Sequence, residues 1–238
     1  NLIENLRYGE NPHQKAAIYS SKNDIGILQL HGKKLSYNNY NDIFSALSIS
    51  KTLPNKLGTI IVKHANPCGV SIKKNKVASY KEAVACDPIS AFGGIVCCNY
   101  KINKKVAVEL NNLFLEVIIG NGFDKESLKI LKRKKNVRLI DSKNLKLQNL
   151  NDIVSNFNTM LFQTKDNKIF SKKDFKVVSK KKPDIKTFKN LIFAFNICRK
   201  VKSNAIVLTK EESTVGIGSG QPSRLDSCKI AIEKMNKF

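Results

Sequence analysis

The sequence predicts an α/β fold. Short apolar runs of strand length recur between residues 57 and 120, stretches of helical period fall between them, and Gly- or Pro-bearing turns separate the two. The composition fits a soluble globular chain with room for a real core, because 42% of the 238 residues are hydrophobic and 26% charged. No run of about 18 apolar residues occurs, so the sequence predicts no membrane-spanning helix. The opening NLIENLRYGE carries an early acid and no apolar h-region, which argues against a signal peptide. Lacking an initiator Met, the chain is expected to be an internal piece of a longer protein.

Residues 57–62, LGTIIV, form a compact apolar run beside Gly58 and predict a buried strand. KHANPCGV follows, where Pro67 and Gly69 predict a turn. Ser79 with Glu82 three residues later has capping-box spacing, so 79–86 reads as an amphipathic helix. DPISAFGGIVCC gives a turn, a glycine pair and a buried strand. Residues 103–115 read as helix, EVIIGNGF as a strand entering a Gly-bounded loop, and 124–135 as a basic amphipathic helix. Residues 141–152 and 164–186 are polar and weakly patterned, which places a boundary near 150–160. Beyond it, 186–201 resumes the helical period, SNAIVLT reads as a strand, ESTVGIGSGQPSR as a Gly-rich turn and 223–236 as a closing helix. No repeat of fixed period is present.

The formal charge of +23 raises the alternative of a basic nucleic-acid-binding module. Only five of the 42 basic residues are Arg, however, and the Lys residues are scattered without interleaved aromatics. That pattern favours solvated surface, with a positive field available to attract phosphorylated substrates. The six Cys include no C-x-x-C pair and are expected to be reduced thiols in a cytoplasm.

Four constellations carry candidate chemistry. In RYGENPHQ, Arg7 offers a forked cation for phosphate and Tyr8 an aromatic hydroxyl. In KHANPCG, just after the first buried strand, Lys63 and His64 pair a cation with a base that titrates near neutrality. In DPISAFGG and the following EVIIGNGF, Gly93 permits close backbone approach, and Glu116 opens an apolar strand where an acid needs a partner. In KSNAIV with GIGSGQPSR, Asn204 can donate an amide to a ligand oxygen. Each also reads as an ordinary turn. NPCG lacks the second Cys and the H-x-E of a zinc deaminase, so zinc is not expected. GIGSGQ matches neither the dinucleotide nor the Walker pattern.

Together and in this order, LRYGENPHQ, GKKLSYNN, KHANPCG, DPISAFGG, VKSNAIV and TVGIGSGQPSR resemble the transformylase region of the bifunctional AICAR transformylase/IMP cyclohydrolase family. The resemblance covers nearly the whole chain. It implies formyl transfer from 10-formyltetrahydrofolate, the co-substrate, to AICAR, yielding FAICAR in IMP biosynthesis. It implies His64 as proton acceptor and Lys63 as transition-state stabiliser, with Asn204 also catalytic. Arg7, Tyr8, Asn39, Gly93, Glu116 and Arg224 would contact the nucleotide, and Leu225 the folate. It implies tandem cytidine-deaminase-like units, the first at 1–155 and an incomplete second at 156–238. It further implies a homodimer with shared active sites, and it leaves a monovalent cation open. The resemblance implies a cyclohydrolase domain before this region and a C-terminal continuation after it, so exposed apolar surface is expected on this stretch. An inactive remnant is the remaining alternative.

Overall fold

The computed structural model describes residues 1–22, 24–146 and 151–238; part of the polar 141–152 stretch, residues 147–150, therefore lies outside the described residues. The chain opens with a two-stranded antiparallel ribbon, β1 (Leu2–Leu6) and β2 (Ala16–Tyr19). β3 (Leu28–His31), α1 (Tyr37–Ser50), β4 (Gly58–Lys63), β5 (Asn66–Ile72) and α2 (Lys76–Ala85) follow. Next come α3 (Pro88–Ala91), β6 (Ile95–Cys98), α4 (Lys104–Asn111), β7 (Val117–Gly120), α5 (Lys125–Leu131) and β8 (Arg138–Asp141). A separate hairpin, β9 (Asn151–Asn156) with β10 (Thr159–Thr164), precedes α6 (Ile185–Cys198), β11 (Ile206–Lys210), β12 (Ser213–Gly218) and α7 (Arg224–Lys237).

Eight strands form one mixed sheet in the order β11-β12-β5-β4-β6-β7-β8-β3. The β6-β7-β8 centre is parallel and the remaining pairs are antiparallel. Successive side chains on a strand alternate between faces, and both faces are covered. Ile60, Val62, Cys97, Ile119 and Ile140 join α1 and α6 in one core. Ile61, Cys98, Ile118 and Leu139 join α2, α4 and α5 in the other. The continuous apolar runs of the sequence follow from this arrangement. Cys97 and Cys98 consequently belong to opposite cores, and all six Cys are free thiols.

Three local expectations shift. The turn in KHANPCG is tighter than the sequence suggests: His64 and Ala65 alone make it, and Pro67 and Gly69 lie within β5. Pro67 is tolerated there because it faces the register irregularity between Ile61 and Val62. α2 is capped by Asn75, not Ser79; Ser79 is fully buried, its hydroxyl 3.0 Å from both the Ser71 carbonyl and the Thr59 hydroxyl. GIGSG is mostly strand. A Cβ on Gly218 would come within 1.9 Å of the Ser227 carbonyl, and one on Gly216 within 2.1 Å of the Ala231 carbonyl. These glycines therefore let α7 lie close against β12 and do not cradle a phosphate.

No break in the sheet falls at residue 155, since β11 and β12 extend the sheet of β4–β8 through β5. The β9–β10 hairpin stands apart from that sheet and exposes Ile153, Leu161 and Phe162. Among the described residues no helix is long and apolar enough to cross a membrane.

Candidate active site

Sheet register places most of the candidate residues along one rim. Val62 of β4 is opposite Ile95, Ile95 opposite Val117, and Val117 opposite Arg138. One step outward from this row lie Lys63 and His64, Gly93 and Gly94, and Glu116, beside Arg138 itself. The rim thus combines the C-terminal end of β4 with the N-terminal ends of β6, β7 and β8. β12 ends and β11 begins at the same rim, because β12 runs antiparallel to β5 from Ser213 opposite Ser71, and its last residue, Gly218, is opposite Ile206. Asn204, just before β11, and Arg224 and Leu225, in the first turn of α7, complete the row.

At its centre, Lys63 is opposite Asn66 and the chain reverses through His64 and Ala65, with φ of 53° and 57°. Positive φ at both central residues is the hairpin geometry that matches strand twist. For non-glycine residues it costs about 1–2 kcal/mol each, so other groups must hold it. Asp42 and Ser45 on α1 do so. Asp42 Oδ1 accepts the Ala65 N–H at 2.6 Å, and Ser45 Oγ donates to the Ala65 carbonyl at 2.8 Å. Burial raises the Asp42 pKa, opposed by the Ala65 N–H and the neighbouring His64. The imidazole is exposed at the tip of the turn. Lys63 Nζ donates to the Phe92 carbonyl at 2.8 Å, next to Gly93, whose φ of +72° suits a residue without a Cβ.

On one side, the rim leads to a cationic cleft. Asn39 closes a reciprocal capping box with Ser36 at the start of α1 and donates its Nδ2 to Glu116 at 3.1 Å. Arg138 lies 3.7 Å from the same carboxylate and donates to the Lys34 carbonyl at 3.2 Å. Glu116 therefore has the partners that an acid at a strand entry requires. Arg7, with its guanidinium 5.7 Å from the Tyr8 ring centre, lines a cleft of about 480 Å³ together with Tyr8, Lys33, Lys34 and Arg138. Asn38 donates to the Glu10 carbonyl at 3.3 Å and so ties the RYGENPHQ loop to α1.

On the other side, Asn66 joins the turn to the second half of the chain. Its Nδ2 donates to the His64 carbonyl at 3.1 Å, and its Oδ1 accepts the Lys202 N–H at 3.2 Å. Two residues on, Asn204 donates its Nδ2 to the carbonyls of Gln221 and Pro222, at 3.0 and 2.8 Å. Its amide hydrogens are spent locally, contrary to the donor role read from sequence, and the oxygen Oδ1 is the group it can offer a ligand. Ser227 Oγ donates to the Asn204 carbonyl at 2.8 Å and seats the start of α7 on this loop. Arg224 and Leu225 are exposed there.

The structure thus gathers Asn39 with Glu116 and Lys63 with His64 and the Gly93 loop, each within direct contact or one residue. It places Arg7 with Tyr8 in the cleft and Asn204 with the start of α7. Four residues of this framework escaped the sequence reading: Asp42, Ser45, Asn66 and Arg138. Among the described residues no three His, Cys, Asp or Glu side chains gather in a group able to hold a metal.

These motifs also match a known family along the chain: the model described as AICARFT/IMPCHase bienzyme fits residues 1–234. The chain belongs to the AICARFT/IMPCHase family. It is 44% identical over 98% of its length to the bifunctional purine biosynthesis protein PurH of Prochlorococcus marinus, covering 47% of that protein. To the proteins of the same name from Acetivibrio thermocellus and Aquifex aeolicus it is 41% identical, covering 46% and 47% of them. The chain spans about half the length of these AICARFT/IMPCHase relatives.

Proposed function

We propose that this part of an AICARFT/IMPCHase protein transfers a formyl group from 10-formyltetrahydrofolate to the exocyclic amine of AICAR, giving FAICAR and tetrahydrofolate in purine biosynthesis. The observation that carries the reading is the His64 turn, braced from α1 on a rim shared with the Arg7 cleft on one side and Asn204 on the other. The amine of AICAR is a weak nucleophile because its lone pair is delocalised into the ring. His64 takes its proton as the amine attacks, a role worth roughly 10²–10⁴ in rate. The tetrahedral intermediate carries an oxyanion. Lys63, whose ammonium has donors beyond the one given to Phe92, meets that charge. His64 then returns the proton to the departing folate nitrogen.

The remaining residues orient the nucleotide. Arg7 with Tyr8 receives the phosphate, with Arg138 and the Lys33-Lys34 pair adding charge to the cleft. Asn39 and Glu116 face the ribose or carboxamide, Gly93 lets the backbone come close, and Asn204 accepts a donor through Oδ1. Arg224 contacts the nucleotide and Leu225 the folate. The partners assigned by this reading are AICAR, the folate and a second copy of the chain that shares its active sites, not nucleic acid or membrane. It assigns no metal to the reaction and sets the protein in the cytoplasm. The tandem deaminase-like arrangement belongs to the same proposal, with β11, β12 and α7 joined to the first unit's sheet.

The test is the His64→Ala variant of the full-length protein, assayed for FAICAR formation. A loss of at least about 100-fold, with AICAR affinity changed less than about threefold, is expected for a proton acceptor. Near-normal turnover would remove the basis of the proposal.

A further inference from the structure

We propose that Asp42 and Ser45 are positioning residues for His64, holding the turn that carries it in its left-handed conformation; the inference rests on the formyl-transfer reading above. The two side chains lie three residues apart on α1, hence on one helix face. Both converge on Ala65, one on its N–H and the other on its carbonyl, at 2.6 and 2.8 Å. Hairpins of this geometry are ordinarily built with Asn-Gly or a similar pair, whose residues tolerate positive φ. Here the sequence is His64-Ala65, with φ of 53° and 57°, so the conformation is imposed from outside the hairpin. A backbone fixed in this way leaves the imidazole only its two side-chain rotations. Displacement of a reacting group by 1 Å can cost about 100-fold in rate.

A plain packing role for Asp42 between α1 and β4 would cost stability and leave the chemistry of the folded protein unchanged. The positioning role separates kcat from KM. It also predicts that glycine at position 65, which adopts positive φ without assistance, compensates for loss of the brace.

The experiment uses the full-length enzyme and measures kcat, the KM for AICAR and thermal unfolding for Asp42→Ala, Asp42→Asn, Ser45→Ala and the double variant Asp42→Ala with Ala65→Gly, beside His64→Ala. Asp42→Ala is expected to lose about 10- to 100-fold in kcat with KM within about threefold, and the double variant to regain at least about tenfold of that loss. Ser45→Ala is expected to lose about three- to tenfold. Asn at position 42 keeps an acceptor for the Ala65 N–H, so kcat should stay within about threefold of the natural enzyme; this variant carries the test if Asp42→Ala does not fold. Unchanged kcat in Asp42→Ala, no recovery in the double variant, or a loss beyond tenfold in Asp42→Asn would each overturn the inference. If His64→Ala is inactive while Asp42→Ala is fully active, only the positioning role falls. If His64→Ala is itself active, the formyl-transfer reading falls.

Discussion

Replacing Lys234 with Ala should destabilise the protein far more than removal of an ordinary surface lysine. Asp87 caps α3, accepting from the Ser90 N–H at 2.9 Å and the Ser90 hydroxyl at 2.7 Å, and is 3% exposed. Its only ion pair among the described residues is with Lys234 of α7, at 2.6 Å. Burial acts to raise the Asp87 pKa, but the hydrogen bonds from Lys234 and Ser90 outweigh it and hold the pKa below its ordinary value. Removing one partner of a buried pair costs about 3–5 kcal/mol. The Lys234 side chain is 32% exposed, and Ser90 remains to serve the carboxylate, so the cost falls to about 2 kcal/mol. For a chain of this size that lowers Tm by about 4–8 °C. The sign with pH follows from the depressed carboxyl pKa. The stabilisation is present above the unfolded-state value near 3.9 and is lost as pH falls through the lower folded-state value. Urea unfolding followed by circular dichroism at pH 7 and again in acid reads both quantities. A difference under about 0.5 kcal/mol at pH 7, or one that fails to narrow in acid, would refute the role given to this pair.

Arg7→Ala should weaken AICAR binding about 10- to 100-fold, from loss of a charge-assisted contact worth about 1.5–3 kcal/mol, and barely alter folate binding; calorimetric titration with each ligand checks this, and the reverse pattern would argue against a phosphate contact. Gly218→Ala should cost about 1–3 kcal/mol, because the added methyl meets the Ser227 carbonyl and pushes α7 off β12. Its unfolding midpoint decides the matter, and an undisturbed midpoint would contradict the close packing described for that strand.

The strands and the closing helix were legible because their signals are local. LGTIIV is an apolar run buried on both faces, and Ser223 caps α7 where the periodicity begins. The misread positions depend on pairings and packing that the residue types themselves do not announce. Pro67 and Gly69 carry turn chemistry but lie in an interior strand, excused by a register irregularity that only the pairing with β4 reveals. Gly216 and Gly218 read as a flexible loop because nothing in the sequence shows a helix pressing on them. The candidate site stands out in the sequence where a motif concentrates unusual residue types, as in Lys63-His64. Asp42 stayed hidden because it sits mid-helix in YNNYNDIFSALSIS, where a lone acid resembles any solvated position. Its meaning comes from the Ala65 N–H, 23 residues away. Arg138 was obscured among many scattered cations, and its pairing with Glu116 is a product of the parallel register of β7 and β8.

A crystal structure of the full-length protein with AICAR bound decides whether His64 meets the nucleotide's amine. The exocyclic amine is expected within about 3 Å of the His64 imidazole and the phosphate on the Arg7 guanidinium. A nucleotide seated away from the β4–β5 turn, with His64 facing only solvent, would contradict it.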